Sequence, residues 1–352
     1  MSLPANLASP QDARVSIAMA TYNGARFIQE QLDSFLAQTH LPWELVITDD
    51  QSSDETQQIV EKFTEVAPFK VRFIRNEQRL YFSSNFMKAA SLCEGDFIAF
   101  SDQDDIWEPN KIEMSLEALA RPGVVLCVHD ALKFTKKGEP AGLETRKVPK
   151  GEISVMDPLI NFSGFVCTFP RALIDIIDYN TRPMDVIEEE RKVSHDRWVT
   201  QLALLSGKIY NLPDKLANYR QHDQNVSGFA RIERSKKEII KSIRLKYDSY
   251  LLKRKEFLEE IADLSEGIDV NEWDSCLFSE HQLKNRQEHL RQHAYIFSKR
   301  LKMIRGNKIA GVARYISYVT GGMYRQTLGG IKQNKNLALD ALAICVAKRR
   351  KY

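Results

Sequence analysis

The sequence lacks the patterns that are typical of secreted and membrane-spanning proteins. Its five cysteines are odd in number and scattered, no C-x-x-C pair occurs, and residues 1–14 show no signal-peptide pattern. No stretch reaches the ~18 uncharged apolar residues of a membrane-spanning helix. We therefore expect free thiols in a reducing, cytoplasmic compartment.

Acidic residues are scarce towards the C-terminal end, and this divides the chain into two parts of opposite charge. From residue 291 onward there are 14 Lys and Arg but one acid, Asp340. Residues 229–352 hold 26 basic and 14 acidic residues, whereas residues 1–228 hold 24 and 33. A split of this size predicts two different tasks. The predicted parts are a leader (1–13), an α/β domain (14–228) and a basic helical region (229–352).

Strands and helices alternate in the α/β domain, where short apolar runs are separated by segments with apolar residues at helical spacing. This alternation predicts βαβ units and a mostly parallel twisted sheet flanked by helices. The predicted strands lie at 14–20, 45–48, 71–74, 96–100, 123–130, 164–169, 208–210 and 216–222. Further predictions are a loop at 135–152, a hinge at 226–228, and helices at about 230–262, 278–305 and 334–347.

Polar side chains cluster where the first, second and fourth strands end. The clusters are Thr21-Tyr22-Asn23, Asp49-Asp50 and Asp102-Gln103-Asp104-Asp105. Because open α/β sheets bind ligands at the carboxyl ends of their strands, we expect the three clusters to line one crevice. Three neighbouring carboxylates also require a counter-charge, and a hard divalent cation with phosphate oxygens would supply it. The alternative is an acidic surface turn with an Asp helix cap.

Six short motifs follow one another in order: TYNG (21–24), EQLDS (30–34), DDQSSD (49–54), SDQDDIW (101–107), SHDRW (194–198) and YRQH (219–222). As an ordered set they resemble the family 2 glycosyltransferases. The resemblance is to the bacterial rhamnosyltransferase-like branch, which builds cell-surface polysaccharides such as O-antigen and capsule, and it covers about residues 14–228. It implies a GT-A fold, a nucleotide-diphosphate sugar donor, a divalent metal and inversion at the anomeric carbon.

The resemblance implies a nucleotide-sugar site at the first two clusters. Thr21 and Tyr22 match the segment that lines the nucleotide base, with Asn23 in the same turn. Asp50 matches the acid that hydrogen-bonds the base. Trp107 is interpreted either as a core residue or as a wall of the donor pocket.

The resemblance also implies a metal site. Asp102 and Asp104 match the D-x-D motif, in which the first acid meets the ribose and the second meets Mn²⁺ or Mg²⁺. His222 matches a histidine that reaches the metal or the diphosphate; the alternative is a structural histidine at a strand end. Three roles of Asp105 stay open: support of the neighbouring acids, contact with the donor sugar, and capping of the helix after Pro109.

Asp196 matches the position of the family's catalytic acid, the residue that takes the proton of the acceptor hydroxyl. The alternative is a role in the cap of the helix that follows. His195 is interpreted as a support or acceptor contact rather than as the base. One departure from the family pattern concerns Tyr81, which stands where relatives carry a glycine five residues after Asn76. Its bulk leaves the local backbone and the donor preference open.

The basic region lies outside the resemblance, and its charge predicts attraction to an anionic membrane surface on the inner face of the cell membrane. The acceptor implied by the family is a polyprenyl-diphosphate-linked or oligosaccharide hydroxyl. Alternatives for the basic surface are a solvated helical face, a protein partner or a homo-oligomer contact. No nucleic-acid-binding module accompanies the charge, so no nucleic acid is expected.

Two other functions are open at this point. One is a Mg²⁺-dependent phosphotransferase or phosphohydrolase, although no D-x-D-x-T nucleophile loop or P-loop lysine motif supports it. The other is a catalytically degenerate transferase-fold scaffold at the membrane. The joint presence of the predicted site acids and His222 argues against decay.

Overall fold

The computed structural model describes residues 12–135, 138–145, 148–185, 191–222, 236–270, 280–305, 308–320, 340–341 and 343–344. The predicted hinge at 226–228, most of the predicted leader and most of the predicted helix at 334–347 lie outside these residues. Within them, one sheet of ten strands forms the centre of the α/β domain. The strand order is β3-β2-β1-β4-β9-β6-β10-β5, with β7 paired to β6 and β8 paired to β10.

The first half of the sheet is parallel, and its four predicted strands are confirmed. These strands are β1 (Val15–Thr21), β2 (Glu44–Asp49), β3 (Lys70–Arg75) and β4 (Phe97–Ser101). They are connected by α1 (Ile28–Leu36), α2 (Thr56–Thr64) and α3 (Tyr81–Ser91). Strands β2 and β4 are buried along their whole length, because helices cover both faces of a parallel sheet.

The second half of the sheet mixes parallel and antiparallel pairs. Its elements are β5 (Ile106–Trp107), α4 (Lys111–Leu119), β6 (Val124–Thr135), β7 (Pro140–Glu144), β8 (Gly151–Ile153), β9 (Thr168–Pro170), α5 (Ala172–Asp175), α6 (His195–Ser206) and β10 (Lys208–Gln221). Strand β10 runs parallel to β6 and antiparallel to β5, so it brings the chain after residue 216 next to the acidic cluster.

Three local predictions in this half were wrong. The predicted loop at 135–152 contains β7 and β8, which extend the sheet at β6 and β10. The two strands predicted at 208–210 and 216–222 are one strand, β10, whose register shifts hide its continuity from periodicity. The strand predicted at 164–169 is a 3₁₀ turn, Gly164–Val166, followed by the short strand β9.

The basic region is helical, as predicted. Its helices are α7 (Lys236–Glu266), α8 (Glu280–Arg305) and α9 (Lys308–Thr320), of which periodicity did not predict the last. The side chains of Arg300 and Asp340 form a buried ion pair of 2.8 Å, and the Tyr247 hydroxyl donates to Asp340 at 2.6 Å. Among the helices described, none combines the length and apolar character needed to cross a bilayer.

Candidate active site

The turn after β1 is hydrogen-bonded to the middle of the acidic cluster. The Tyr22 N–H donates to Gln103 Oε1 at 3.0 Å, and Gln103 Nε2 donates back to the Tyr22 carbonyl at 3.1 Å. Gly24 permits this approach, since a Cβ at that position would lie 2.3 Å from Gln103 Oε1. Two of the three predicted clusters are therefore directly connected at one sheet edge.

The acids after β2 have different partners. Asp49 accepts from the Thr21 hydroxyl at 2.9 Å and from the Ser52 N–H at 2.8 Å, so it fixes the turns after β1 and β2. Asn23 adopts a left-handed backbone with φ +48° and accepts the N–H of Ser53 at 2.8 Å through its side chain. Asp49 and Asn23 thus shape the crevice.

Asp50 holds the loop between β3 and α3. Its two carboxylate oxygens accept the backbone N–H groups of Leu80 at 2.6 Å and Tyr81 at 2.8 Å, and Asn76 Nδ2 donates to it at 3.1 Å. The favourable interaction of a carboxylate with a helix N-terminus adds to these bonds, because α3 begins at Tyr81. In the free protein, Asp50 therefore positions this loop.

Aromatic rings and guanidinium groups alternate at the rim of the crevice above Asp50. The Arg79 guanidinium carbon lies 4.0 Å from the centre of the Tyr22 ring and 5.2 Å from that of Tyr81. The guanidinium carbon of Arg191 lies 4.7 Å from the Tyr81 ring centre. We call these four side chains the Tyr–Arg column.

Asp102, Asp104 and Asp105 come together after β4, with one ligand atom of each within 4.8 Å of the others. His222 Nε2 lies 2.7 Å from Asp104 Oδ2. Asp105 Oδ2 is buried and has no hydrogen-bond partner among the residues that the structure describes. Oxygen donors with one imidazole and an unsatisfied buried oxygen fit Mn²⁺ or Mg²⁺.

Asp105 is fully buried, and its role is distinct from that of the two D-x-D acids. Its Oδ1 accepts the Arg220 backbone N–H at 3.1 Å. Burial, and then the charges of Asp104 and Asp102, raise its pKa well above the usual value. The helix-cap alternative for Asp105 is wrong, because α4 begins at Lys111 and its N-cap is Asn110.

Arg220 connects β10 to the acidic cluster and to α1. Its Nε donates to the Asp104 carbonyl at 2.9 Å and its Nη2 to Glu30 at 2.9 Å. Its guanidinium also lies against the rings of Phe27 and Phe134, at 4.8 and 4.7 Å from their centres. The backbone of the D-x-D turn is thereby fixed from a strand more than a hundred residues away.

A buried lysine lies near the acidic cluster. Lys111 Nζ donates to the Phe165 carbonyl at 2.6 Å and lies 3.5 Å from the centre of the Trp107 ring. Burial lowers the pKa of Lys111 to about 7. Trp107 is 2% exposed and packs edge-on against Phe35, so the structure places it in the core and not on the donor pocket wall.

Asp196 lies in the first turn of α6, whose N-cap is Ser194. Its Oδ1 accepts from the Ser194 hydroxyl and, at 2.7 Å, from the Arg197 N–H, while Oδ2 accepts from Asn161 Nδ2 at 3.2 Å. Burial, then the charge of Asp104, then that of Asp196 raise the pKa of Asp102 to about 8, so the charge of Asp196 acts on the acidic cluster. The capping interactions are therefore present, and the second carboxylate oxygen is held by Asn161.

His195 is turned away from the site. Its ring stacks on Phe86 with centroids 4.0 Å apart and meets Phe100 edge-on at 4.9 Å. Burial lowers its pKa to about 4. Neither ring nitrogen has a hydrogen-bond partner in the described part of the chain, and a Cβ at Gly164 would lie 2.2 Å from Nε2. Such a neutral, buried ring supports α6 and does not act as a base.

The sequence did not predict the roles of several residues in this arrangement. Gln103, Arg220, Lys111 and Asn161 act through partners 35 to 116 residues away. Gln103 and Arg220 lie inside two of the six motifs, SDQDDIW and YRQH, but the motifs do not indicate their partners. The others depend on which strands and helices are neighbours.

The geometry agrees with comparisons with known proteins. Residues 16–175 match the family model "Glycosyl transferase family 2". These 160 residues form a family 2 glycosyltransferase domain. Asp196, Arg220 and His222 lie beyond the matched range.

Two curated relatives and one solved structure are similar to the chain. An uncharacterized glycosyltransferase of Nostoc sp., alr2836, is 29% identical over 60% of this chain and 66% of its own length. The Escherichia coli enzyme WfgD, a UDP-Glc:alpha-D-GlcNAc-diphosphoundecaprenol beta-1,3-glucosyltransferase, is 35% identical over 32% of this chain and 44% of its own length. The chain thus spans about two thirds or less of the relatives' length.

The solved structure is S. aureus TarS 1-349 in complex with UDP-GlcNAc. It superposes with a TM-score of 0.51 and 18% identity, over 96% of this chain and 93% of that chain. At this identity the likeness shows the fold alone. The predicted GT-A fold is confirmed.

Proposed function

We propose that this protein is a metal-dependent, inverting glycosyltransferase that moves a hexose or deoxyhexose from a nucleotide-diphosphate sugar to a hydroxyl group. One observation carries the proposal. Asp102, Asp104 and His222 meet at the carboxyl edge of the sheet, and Asp196 is near enough to raise the pKa of Asp102. Such an arrangement offers a diphosphate site and a base in one crevice.

Asp196 is the base in this mechanism. The acceptor hydroxyl oxygen attacks the anomeric carbon, the bond from that carbon to the diphosphate oxygen breaks with its electron pair, and the hydroxyl proton passes to Asp196. Ser194, Arg197 and Asn161 keep the carboxylate oriented throughout.

Asp104 and His222 would hold Mn²⁺ or Mg²⁺, and Asp102 would meet the ribose. A divalent cation bound there neutralises the charge that develops on the departing diphosphate. Gln103 and Arg220 keep the acids in place from two sides. The nucleotide base would lie against Thr21 and Tyr22, near Asp50.

The proposed acceptor is a polyprenyl-diphosphate-linked or oligosaccharide hydroxyl in surface-polysaccharide synthesis. WfgD, a glucosyltransferase named for its diphosphoundecaprenol-linked acceptor, supports this choice. We place the enzyme in the cytoplasm, peripheral on the inner face of the membrane. The basic region supports this location, because α8 and α9 combine exposed Tyr295, Val312 and Ile316 with Lys299 and Arg314.

Release of nucleoside diphosphate tests the function. The protein is incubated with UDP-, GDP- and dTDP-sugars and Mn²⁺, with and without lipid-linked acceptors. We expect release with at least one donor, abolition by a chelator, and a large loss in Asp196→Asn. No release with any donor and acceptor would favour the scaffold alternative.

A separate experiment tests the location. Vesicles that contain anionic phosphatidylglycerol should co-sediment the protein at low salt, and neutral phosphatidylcholine vesicles should not. Binding that is unaffected by Val312→Asp and Ile316→Asp would contradict docking through α9.

A further inference from the structure

Tyr81 has an unusual backbone conformation for its residue type. Its φ is +61°, in the left-handed region that favours glycine and is strained for a bulky side chain. The conformation is enforced by Asp50, which accepts the N–H groups of Leu80 and Tyr81. Strained conformations of this kind are retained where the surrounding structure fixes them, and they cluster at functional sites. The Tyr81 ring is therefore a candidate for a role that a glycine could not fill.

The ring of Tyr81 is available for such a role because it lies at the rim of the crevice. It is 49% exposed, so it adds little to the core. Its neighbours in the Tyr–Arg column are the guanidinium groups of Arg79 and Arg191. A partly exposed aromatic ring between two guanidinium groups attracts both through cation–π interactions.

Arg79 is shared between two rings and lies closer to one of them. Its guanidinium is 4.0 Å from the Tyr22 ring centre and 5.2 Å from that of Tyr81. Its Nε also lies 3.8 Å from Asp50 Oδ2. In the free protein Arg79 therefore covers one face of the Tyr22 ring. A base that stacks on this face has to displace Arg79.

We infer that Tyr81 receives the Arg79 guanidinium when the nucleobase of the donor stacks on Tyr22, and that Tyr81 thereby sets the affinity for the base. This inference rests on the proposed function. The guanidinium then exchanges one aromatic ring for another and stays near Asp50, so its cation–π interaction is retained. Without the Tyr81 ring, Arg79 keeps Tyr22 as its only aromatic partner in the column and competes with the base.

A double-mutant cycle tests this inference through calorimetric binding of UDP, GDP and dTDP in the presence of Mg²⁺. Tyr81→Gly preserves the backbone, since glycine adopts φ +61° freely. We expect it to weaken binding about 3- to 30-fold, the range of one to two cation–π contacts. In an Arg79→Met background the same substitution should change the affinity less than about twofold, because the competitor is absent. Tyr81→Phe keeps the ring and should retain the affinity.

Two further measurements separate base recognition from a structural role. Inorganic pyrophosphate carries no base, so its affinity should be the same in Tyr81→Gly and in the wild type. Tyr250→Ala is the matched control, because Tyr250 is similarly exposed and also contacts a guanidinium, that of Arg254 at 4.2 Å, but lies on α7. It should bind all ligands as the wild type does.

The outcomes distinguish the two proposals. Equal nucleotide affinity in Tyr81→Gly and wild type would overturn this inference and leave the proposed function intact. It would also be overturned by a loss of pyrophosphate binding, or by a loss of nucleotide affinity that is equally large with Arg79 present and with Arg79→Met. Absence of nucleotide binding and nucleotide release by the wild type would overturn both proposals.

Discussion

His222 Nε2 lies 2.7 Å from Asp104 Oδ2, although 118 residues separate the two in the sequence. His222 directly follows strand β10, and β10 pairs with β5, the strand that comes directly after the D-x-D turn. This pairing brings the histidine to the acidic cluster. The contact therefore connects His222, which lies beyond the family match, to Asp104, which lies within it. Both residues are proposed metal ligands, so their substitution is the first test of the site.

Asp104→Asn should weaken Mn²⁺ binding, because the amide replaces a charged ligand while preserving the side-chain volume. We expect a loss of at least about 10- to 100-fold, the range typical of mutating a residue that merely supports a metal ligand. His222→Gln should produce a loss in the same direction. Titration calorimetry with Mn²⁺ and a nucleoside diphosphate measures both.

Asp33→Asn is the control for this prediction. Asp33 is an exposed acid on α1 that accepts a hydrogen bond from Gln29 Nε2 at 2.8 Å and lies outside the acidic cluster. The variant should bind Mn²⁺ as the wild type does. Wild-type metal affinity in Asp104→Asn would rule out Asp104 as a ligand.

Asp196→Asn should spare donor binding and remove transfer, because the amide cannot take the acceptor proton. A loss of about 10²- to 10⁴-fold in turnover is typical of a missing general base. Asn161→Ala removes one hydrogen bond to Asp196 Oδ2 and should reduce turnover much less. Steady-state transfer rates and donor affinity are measured for each variant. Near-native transfer by Asp196→Asn would mean that another group is the base.

Gly24→Ala should disconnect the turn after β1 from the acidic cluster. The added Cβ would displace the Gln103 side chain and break both of its hydrogen bonds to Tyr22. Loss of two such bonds predicts a decrease of about 1–3 kcal/mol in the free energy of unfolding. Nucleotide affinity should fall as well. Urea denaturation and calorimetry provide the two measurements.

Gly267→Ala is a suitable comparison, because the nearest atom to its added Cβ is 3.6 Å away, an ordinary contact. Its stability and nucleotide affinity should remain close to those of the wild type. If Gly24→Ala behaves in the same way, the Tyr22–Gln103 connection has no effect on the site.

His195 should make the protein less stable in mild acid. Its pKa is about 4 in the fold, against 6.5 for an exposed histidine, so the unfolded chain takes up a proton first as the pH falls. Stability is therefore unaffected by this group above about pH 6.5 and decreases between about pH 6.5 and 4. A shift of this size corresponds to about 3 kcal/mol.

Denaturation curves at several pH values test the role of His195. His195→Leu removes the titrating group, so its free energy of unfolding should fall less steeply than that of the wild type between pH 6.5 and about 4. Identical pH slopes for the two proteins would show that the ring is not held neutral by burial.

Local sequence patterns were enough to predict the parallel half of the sheet. The strands before Asp49 and Asp102 are short, apolar and followed by polar turns, and each is a local feature. The contrast between Asp49, which fixes turns, and Asp50, which holds the 76–81 loop, was not predictable. It depends on the directions in which adjacent carboxylates point from the end of one strand.

The second half of the sheet was harder to predict for a different reason. Strand β10 contains register shifts, β7 is exposed for most of its length, and β8 has only three residues, so none of them shows clear alternation. Arg220 gains its role only from the pairing of β10 with β6 and β5. The sequence also marked Tyr81 as a departure without indicating that its backbone keeps the conformation of a glycine.

The position of β10 has a practical consequence for how the enzyme is delimited. The family match ends at residue 175, yet β10 is an interior strand of the sheet, between β6 and β5. A protein shortened to the matched residues would expose an unpaired edge of β6. It would also lack Asp196, the proposed base, His222, the proposed metal ligand, and Arg220, which fixes the D-x-D turn. On the proposed assignment of the site, the smallest catalytic unit therefore extends at least to His222, well past residue 175 where the family match ends.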